Sequence, residues 1–99
     1  MKNAIHEFDI KPIDAKSFYG KATGFEKNGK MILKSYSTFV CGITAKGKIQ
    51  RYWNDYSATT MRHINAFLVN AGFEKMSKAE WLSLPIVRFN ATSFWFGRV

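Results

Sequence analysis

The spacing of hydrophobic residues changes period along the chain, and those changes divide it into elements. In the stretch Tyr56-Ser57-Ala58-Thr59-Thr60-Met61-Arg62-His63, continuing to Gly72, residues Met61, Ile64, Phe67, Leu68 and Ala71 recur at three- and four-residue steps. That spacing puts them on one face of an α-helix. Ser57, Thr59 and Thr60 stand at its start, where a hydroxyl can accept from the free N–H groups of a first turn. Gly72 can take the left-handed conformation that closes a helix. The pattern predicts a main helix over 57–72.

Ahead of that helix the rhythm is two. Residues 21–53 read as a β-meander: a first strand, then Lys27-Asn28-Gly29-Lys30 as a hairpin, since Asn-Gly tolerates the positive φ of a type I′ turn. From Met31 to Thr44, residues Met31, Leu33, Phe39, Cys41 and Ile43 share one parity, with Ser35 and Ser37 in the same row. Ile32, Lys34, Tyr36, Thr38, Val40 and Thr44 share the other. Fourteen residues is long for one straight strand, which predicts a bend or bulge near Ser35–Ser37. Ala45-Lys46-Gly47-Lys48 makes a second turn before a third or fourth strand from Ile49 to Trp53.

The two ends carry weaker rhythms. Within an N-terminal arm, 1–20, Ala4, Ile5, Phe8 and Ile10 suit a short strand or docked segment ending before Pro12. Asp14 can cap a single turn over Ala15-Lys16-Ser17-Phe18-Tyr19, with Gly20 as its stop. Ser77-Lys78-Ala79-Glu80 has the capping-box pattern, predicting a short helix over 77–84 that stops by Pro85. Residues 86–99 read as an extended segment, unusually aromatic at Phe94-Trp95-Phe96. The sum is a single α+β domain over 1–99, an antiparallel β-meander packed against one main helix with a short second helix.

Composition adds a partner class. Fifteen Lys and Arg against seven Asp and Glu give a formal charge of +8, which favours an acidic partner such as nucleic acid or a nucleoprotein. The basic residues are dispersed from Lys2 to Arg98, so solubility accounts for part of that excess. Nine Phe, four Tyr and three Trp exceed what a small core needs and place some rings at a surface or interface. The single cysteine, Cys41, excludes an intramolecular disulfide and argues for a reducing compartment. No apolar run can span a bilayer and Met1-Lys2-Asn3-Ala4-Ile5 lacks a signal-peptide core, so a cytoplasmic protein is expected.

Three sets of residues are candidates for chemistry. Lys46, Lys48, Arg51, Tyr52 and Trp53 form the best basic-aromatic cluster, on one hairpin. Alternation lets Arg51 and Trp53 act together while Tyr52 faces the other way. Lys46, Lys48, Arg51 and Trp53 are therefore the expected nucleic-acid contacts, and replacing the three cations by Glu is expected to abolish binding and leave melting nearly unchanged. The bland alternative is a solvated hairpin with one ring turned into the core.

Thr59, Thr60, Arg62 and His63 offer hydroxyls, free N–H groups and positive charge at a helix N-terminus, an anion-binding arrangement whose plain alternative is ordinary capping. His63 lies about 100° from the centre of the apolar stripe, where a histidine is usually a packing residue. No motif supplies it with a nucleophile and an orienting group, so no catalytic residue is expected. Cys41 reads as a small buried residue. Cys41, His6 and His63 lack the paired spacing of a zinc site, so neither metal nor cofactor is expected.

Ser35-Tyr36-Ser37-Thr38-Phe39-Val40, then Tyr56-Ser57-Ala58-Thr59-Thr60-Met61-Arg62-His63 with Phe67, then Gly72-Phe73 and Ser77-Lys78, resembles a family of small uncharacterised proteins of bacteriophages and Gram-positive mobile elements. The likeness runs from Phe18 to Leu84. It implies a mobile-element setting inside a bacterial host cell, where small proteins of this kind are often host-takeover factors or inhibitors of defence systems, including anti-CRISPR proteins. It brings no catalytic role. The expectation is a non-enzymatic binding protein that engages nucleic acid or a host nucleoprotein complex and inhibits a defence complex. The alternatives are an inhibitor contacting only a host protein and a small phosphodiester- or nucleotide-handling enzyme.

Overall fold

Five strands follow one another in an antiparallel sheet whose spatial order equals their chain order: β1 (His6–Asp9), β2 (Ala22–Lys27), β3 (Lys30–Ser35), β4 (Thr38–Ile43) and β5 (Ile49–Arg51). Among the described residues three helices come after them, α1 (Ala58–Asn70), α2 (Lys78–Ser83) and α3 (Ala91–Phe96). The computed structural model describes residues 5–13, 18 and 20–96. The turn expected over Ala15-Lys16-Ser17-Phe18-Tyr19 with its Asp14 cap lies, Phe18 aside, outside these, as do Ala4 and residues 97–99. The architecture is α+β, an antiparallel meander covered by one main helix with a short second one.

The β2–β3 hairpin is the one Asn-Gly predicts. Asn28 and Gly29 have φ of 54° and 84°, and Lys27 pairs with Lys30 across them. The stretch from Met31 to Thr44 breaks where a bend is expected, near Ser35–Ser37, but more sharply than a bent strand. It is two strands, because Tyr36-Ser37 closes a second tight hairpin with Ser35 opposite Thr38. Tyr36 takes a φ of 55° with no glycine to make that easy, at a cost on the order of 1–2 kcal/mol. Its amide donates to the Lys21 carbonyl at 2.7 Å, and the Lys21 ammonium lies 5.5 Å from its ring centroid.

A bulge follows in β4. Leu33 pairs with Cys41 and Lys34 with Phe39, leaving Val40 as the extra residue. Val40 and Cys41, adjacent in sequence, therefore both enter the core under α1, and the Val40 carbonyl accepts from the Tyr52 and Trp53 amides. Turn and bulge together move Phe39 out of the Leu33–Cys41 row and onto the opposite face of the sheet, against Phe25, Phe89 and Trp95.

α1 covers one face. Met61, Ile64, Phe67 and Leu68 are buried against Leu33, Val40, Cys41 and Ile43. The Ser57 side chain caps the helix by accepting from the Thr60 amide at 3.0 Å. Gly72, at φ 89°, closes it: the Gly72 and Phe73 amides return to the Val69 and Leu68 carbonyls, a Schellman ending. Asn70 holds the N-terminal arm, accepting from the Lys11 amide and donating to the Lys11 carbonyl.

α2 begins with the expected capping box between Ser77 and Glu80, and Leu84 before Pro85 is extended, ending the helix. Beyond Pro85 the chain departs from the expected extended run. Ile86 makes a parallel bridge to Arg51 and the Val87 amide donates to the Arg51 carbonyl. The chain then winds into α3, whose first turn is held by Asn90 Oδ1 accepting from the Ser93 amide. α3 and Phe89 lie on the sheet face opposite α1, so the sheet is packed on both sides.

Candidate functional site

The hairpin residues do not form one surface. Lys46 and Lys48 are exposed, but Arg51 is 5% exposed and Trp53 is half-buried against the core. The Arg51 guanidinium donates to the Trp53 carbonyl from Nε at 2.9 Å and to the Leu82 and Leu84 carbonyls from Nη1 at 3.3 Å, and lies 4.9 Å from the Trp81 ring centroid. It joins β5 to the end of α2. Arg51 drops out of the expected contact set, because a guanidinium committed to three carbonyls inside the fold offers nothing to a phosphate. Tyr52 does face the other way.

The residues at the start of α1 also diverge. Thr59 is exposed, Thr60 and His63 turn inward, and the Arg62 guanidinium lies 5.2 Å from the Phe18 ring centroid. Ser57 already satisfies the Thr60 amide, the capping expected as the alternative to an anion site.

His63 is 1% exposed and Ser35 2%, with His63 Nδ1 and Ser35 Oγ sharing a hydrogen bond at 2.7 Å and Thr60 Oγ1 at 3.5 Å from the same oxygen. The imidazole sits between Phe18, edge-on at 4.6 Å, and Tyr36 at 5.6 Å. These two rings turn a position at the boundary of the helical stripe into an interior one. A serine beside a neutral histidine has the elements of a nucleophile, yet this oxygen lies sealed in the helix–sheet joint.

Burial, followed by the nearby charges of Arg62 and Lys21, lowers the His63 pKa from its ordinary 6.5. A lowered folded-state value means that proton uptake favours the unfolded chain. The stability involved is present above 6.5 and is lost as pH falls below it toward the lowered value. The melting midpoint is therefore expected to fall between about pH 7 and pH 5, and less steeply in His63→Gln, whose amide does not titrate there. Thermal melts at a series of pH values give both slopes. Equal slopes would remove His63 as the cause.

The face opposite α1 gathers what the sequence leaves scattered. Phe39, Tyr52 and Phe89 line a groove of about 550 Å³ with Ile86, Val87, Arg88 and Ala91. Tyr52 and Phe89 stack at 4.8 Å and 24°. Gly42 makes room for them, since a Cβ there would meet the Tyr52 hydroxyl at 2.5 Å. The Lys30 ammonium lies 6.0 and 5.9 Å from the Tyr52 and Phe89 centroids, and that of Lys34 lies 5.6 Å from Phe39. Arg88 is exposed at the groove's edge, and none of the groove-lining residues is acidic. Cations over ring faces are worth about 0.5–1 kcal/mol each at exposed sites, so these lysines are held over the rings with their charge still available. The sequence signals for this face are the Lys30-x-Ile32-x-Lys34 alternation and the surplus of rings; the unpaired residue at Val40, which separates Phe39 from Cys41, has no such signal.

Among the described residues no helix is long and apolar enough to cross a membrane, and no three His, Cys, Asp or Glu side chains converge as a metal site. Cys41 is buried, which pushes its thiol pKa far up. In comparison with known proteins, no curated protein and no solved structure matches the chain. Residues 8–83 match a family described as a family of unknown function, DUF8033. The match runs from the second half of β1 to the end of α2, with Arg51, the Ser35–His63 pair and the helix that covers them, and stops short of Arg88 and Phe89. The chain belongs to the DUF8033 family.

Proposed function

We propose that this chain is a non-enzymatic binding protein of a phage or mobile element. It engages nucleic acid, free or within a host nucleoprotein complex, through the sheet face opposite α1, and in that setting obstructs a host defence complex. One observation carries the reading: Lys30 and Lys34 sit by the rings of Tyr52, Phe89 and Phe39, and those rings line a groove with an exposed Arg88 and no acidic side chain. Positive charge beside groove-lining aromatic rings suits a partner that is both polyanionic and aromatic. The overall charge of +8 supports the same partner from long range.

The test compares two triple variants with equal loss of charge, Lys30→Gln/Lys34→Gln/Arg88→Gln and Lys46→Gln/Lys48→Gln/Lys75→Gln. Binding to mixed-sequence nucleic acid is followed by anisotropy at rising salt, with melting as the check on folding. The first variant is expected to lose about tenfold more affinity than the second and to show a shallower salt slope, by roughly 0.7–0.9 for each phosphate contact removed. Equal losses would mean that net charge alone acts, and an inhibitor contacting only protein would then be the better reading.

A further inference from the structure

Resting on the reading above, we infer that the groove between Phe39, Tyr52, Phe89 and Arg88 takes an unpaired nucleobase, so that the ligand is single-stranded nucleic acid and not duplex. The groove holds about 550 Å³, within the range of small-ligand sites and enough for one nucleotide. Its walls are aromatic rings and aliphatic side chains, Phe39 and Tyr52 from the sheet and Phe89 from the stretch before α3, with Ile86 and Val87 beside them. Such walls reward a flat apolar ligand that displaces water from them.

A duplex cannot supply one. Except at its two end pairs its base faces are covered by their neighbours, and it presents phosphates and base edges outward. A single strand has exposed base faces, and stacking on an aromatic side chain tolerates any base because every base has a π face. The cations are placed for the rest of the nucleotide. Lys30 lies 5.9 Å from the Phe89 centroid and Arg88 is exposed at the edge, so a base against Phe89 has its own or a neighbouring phosphate within reach of positive charge. An acidic peptide would meet the cations and leave the rings uncovered.

The Phe89–Tyr52 pair is pre-formed, stacked at 24°, and the Tyr52 hydroxyl is held by Gln50 Oε1 at 2.9 Å. Binding therefore need not order these rings first. Tyr52 is also far from ionising, because burial raises its pKa, so no phenolate charge opposes the strand.

The experiment uses the unaltered full chain and three probes of about twelve nucleotides per strand: oligothymidylate, an abasic strand of the same length and charge, and a blunt duplex. Anisotropy titrations at low salt are expected to show oligothymidylate binding at least about tenfold tighter than either other probe, the size of one stacking contact. Phe89→Leu, which keeps apolar bulk and loses the ring face, is expected to bring oligothymidylate close to the abasic strand while salt-dependent binding persists. Equal affinity of the natural and abasic strands for the unaltered chain overturns the base site and leaves the charge-driven reading standing. A duplex that binds as tightly as the single strand overturns it as well. If no probe binds at low salt, the nucleic-acid reading and the base site fall together.

Discussion

Arg51→Glu is expected to leave the chain largely unfolded at room temperature. The guanidinium is buried, three carbonyl oxygens receive its N–H groups, and Trp81 lies against its face. Glutamate has no donor when ionised and would set a carboxylate among the carbonyls of Trp53, Leu82 and Leu84. Removing one side of a buried charged arrangement costs about 3–5 kcal/mol, and burying a carboxylate without a partner adds to that. Domains of this size have roughly 5–15 kcal/mol in total. Arg51→Met keeps much of the stem's packing and loses the hydrogen bonds, so it should fall between the two. Urea denaturation followed by far-UV circular dichroism ranks the three. An Arg51→Glu midpoint close to that of the unaltered chain would mean that the guanidinium does not hold β5 to α2. Lys46→Glu/Lys48→Glu should stay close to it, because exposed charges contribute little.

That contrast shows where reading the sequence succeeds and where it stops. Periodicity reveals α1 and its core face, because Met61, Ile64, Phe67 and Leu68 repeat at helical steps and nothing competes with them. Asn28-Gly29, Gly72 and Ser77-x-x-Glu80 are legible for a local reason: each satisfies backbone geometry or free N–H and C=O groups within a few residues. The failures need tertiary contacts. The Tyr36-Ser37 turn places positive φ on a tyrosine, and its supports, Lys21 and His63, are distant in sequence.

The two-residue turn sets Phe39 opposite Lys34, with the outer rings, and the unpaired residue at Val40 then returns Cys41 to the core row of Leu33. Arg51 looks like a surface cation by charge alone, and its burial depends on carbonyls more than thirty residues away. Asn90 signals a helix start, but the run of rings after it reads more readily as strand. The candidate groove was illegible for the same reason. Its rings come from β4, from just after β5 and from the stretch before α3, and only the packed sheet brings Phe39, Tyr52 and Phe89 together.

Trp81→Ala is expected to lower the melting midpoint by on the order of 20 °C. Trp81 is fully buried and is among the largest side chains in the core, yet it sits on a helix of six residues. Helices that short are not stable alone in water, so α2 holds its place through what it buries. Its indole Nε1 donates to the Asp55 carbonyl at 3.0 Å, tying the approach to α1, while Arg51 covers the ring from β5. Truncating a buried tryptophan to alanine costs about 3–5 kcal/mol, and each kcal/mol moves the midpoint of a domain this size by about 4–8 °C. Trp81→Phe keeps most of the ring area and loses the donor, so its cost should be nearer the 1–3 kcal/mol of an orphaned carbonyl. The exposed capping box supplies a scale: Ser77→Ala should cost only about 1 kcal/mol. Because Arg51 and Trp81 touch, their losses should not add. A double-mutant cycle with Arg51→Met should return a coupling of about 0.5–3 kcal/mol. If Trp81→Ala costs no more than Ser77→Ala, α2 is not anchored by its tryptophan; if the cycle closes with zero coupling, Arg51 and Trp81 hold β5 and α2 independently.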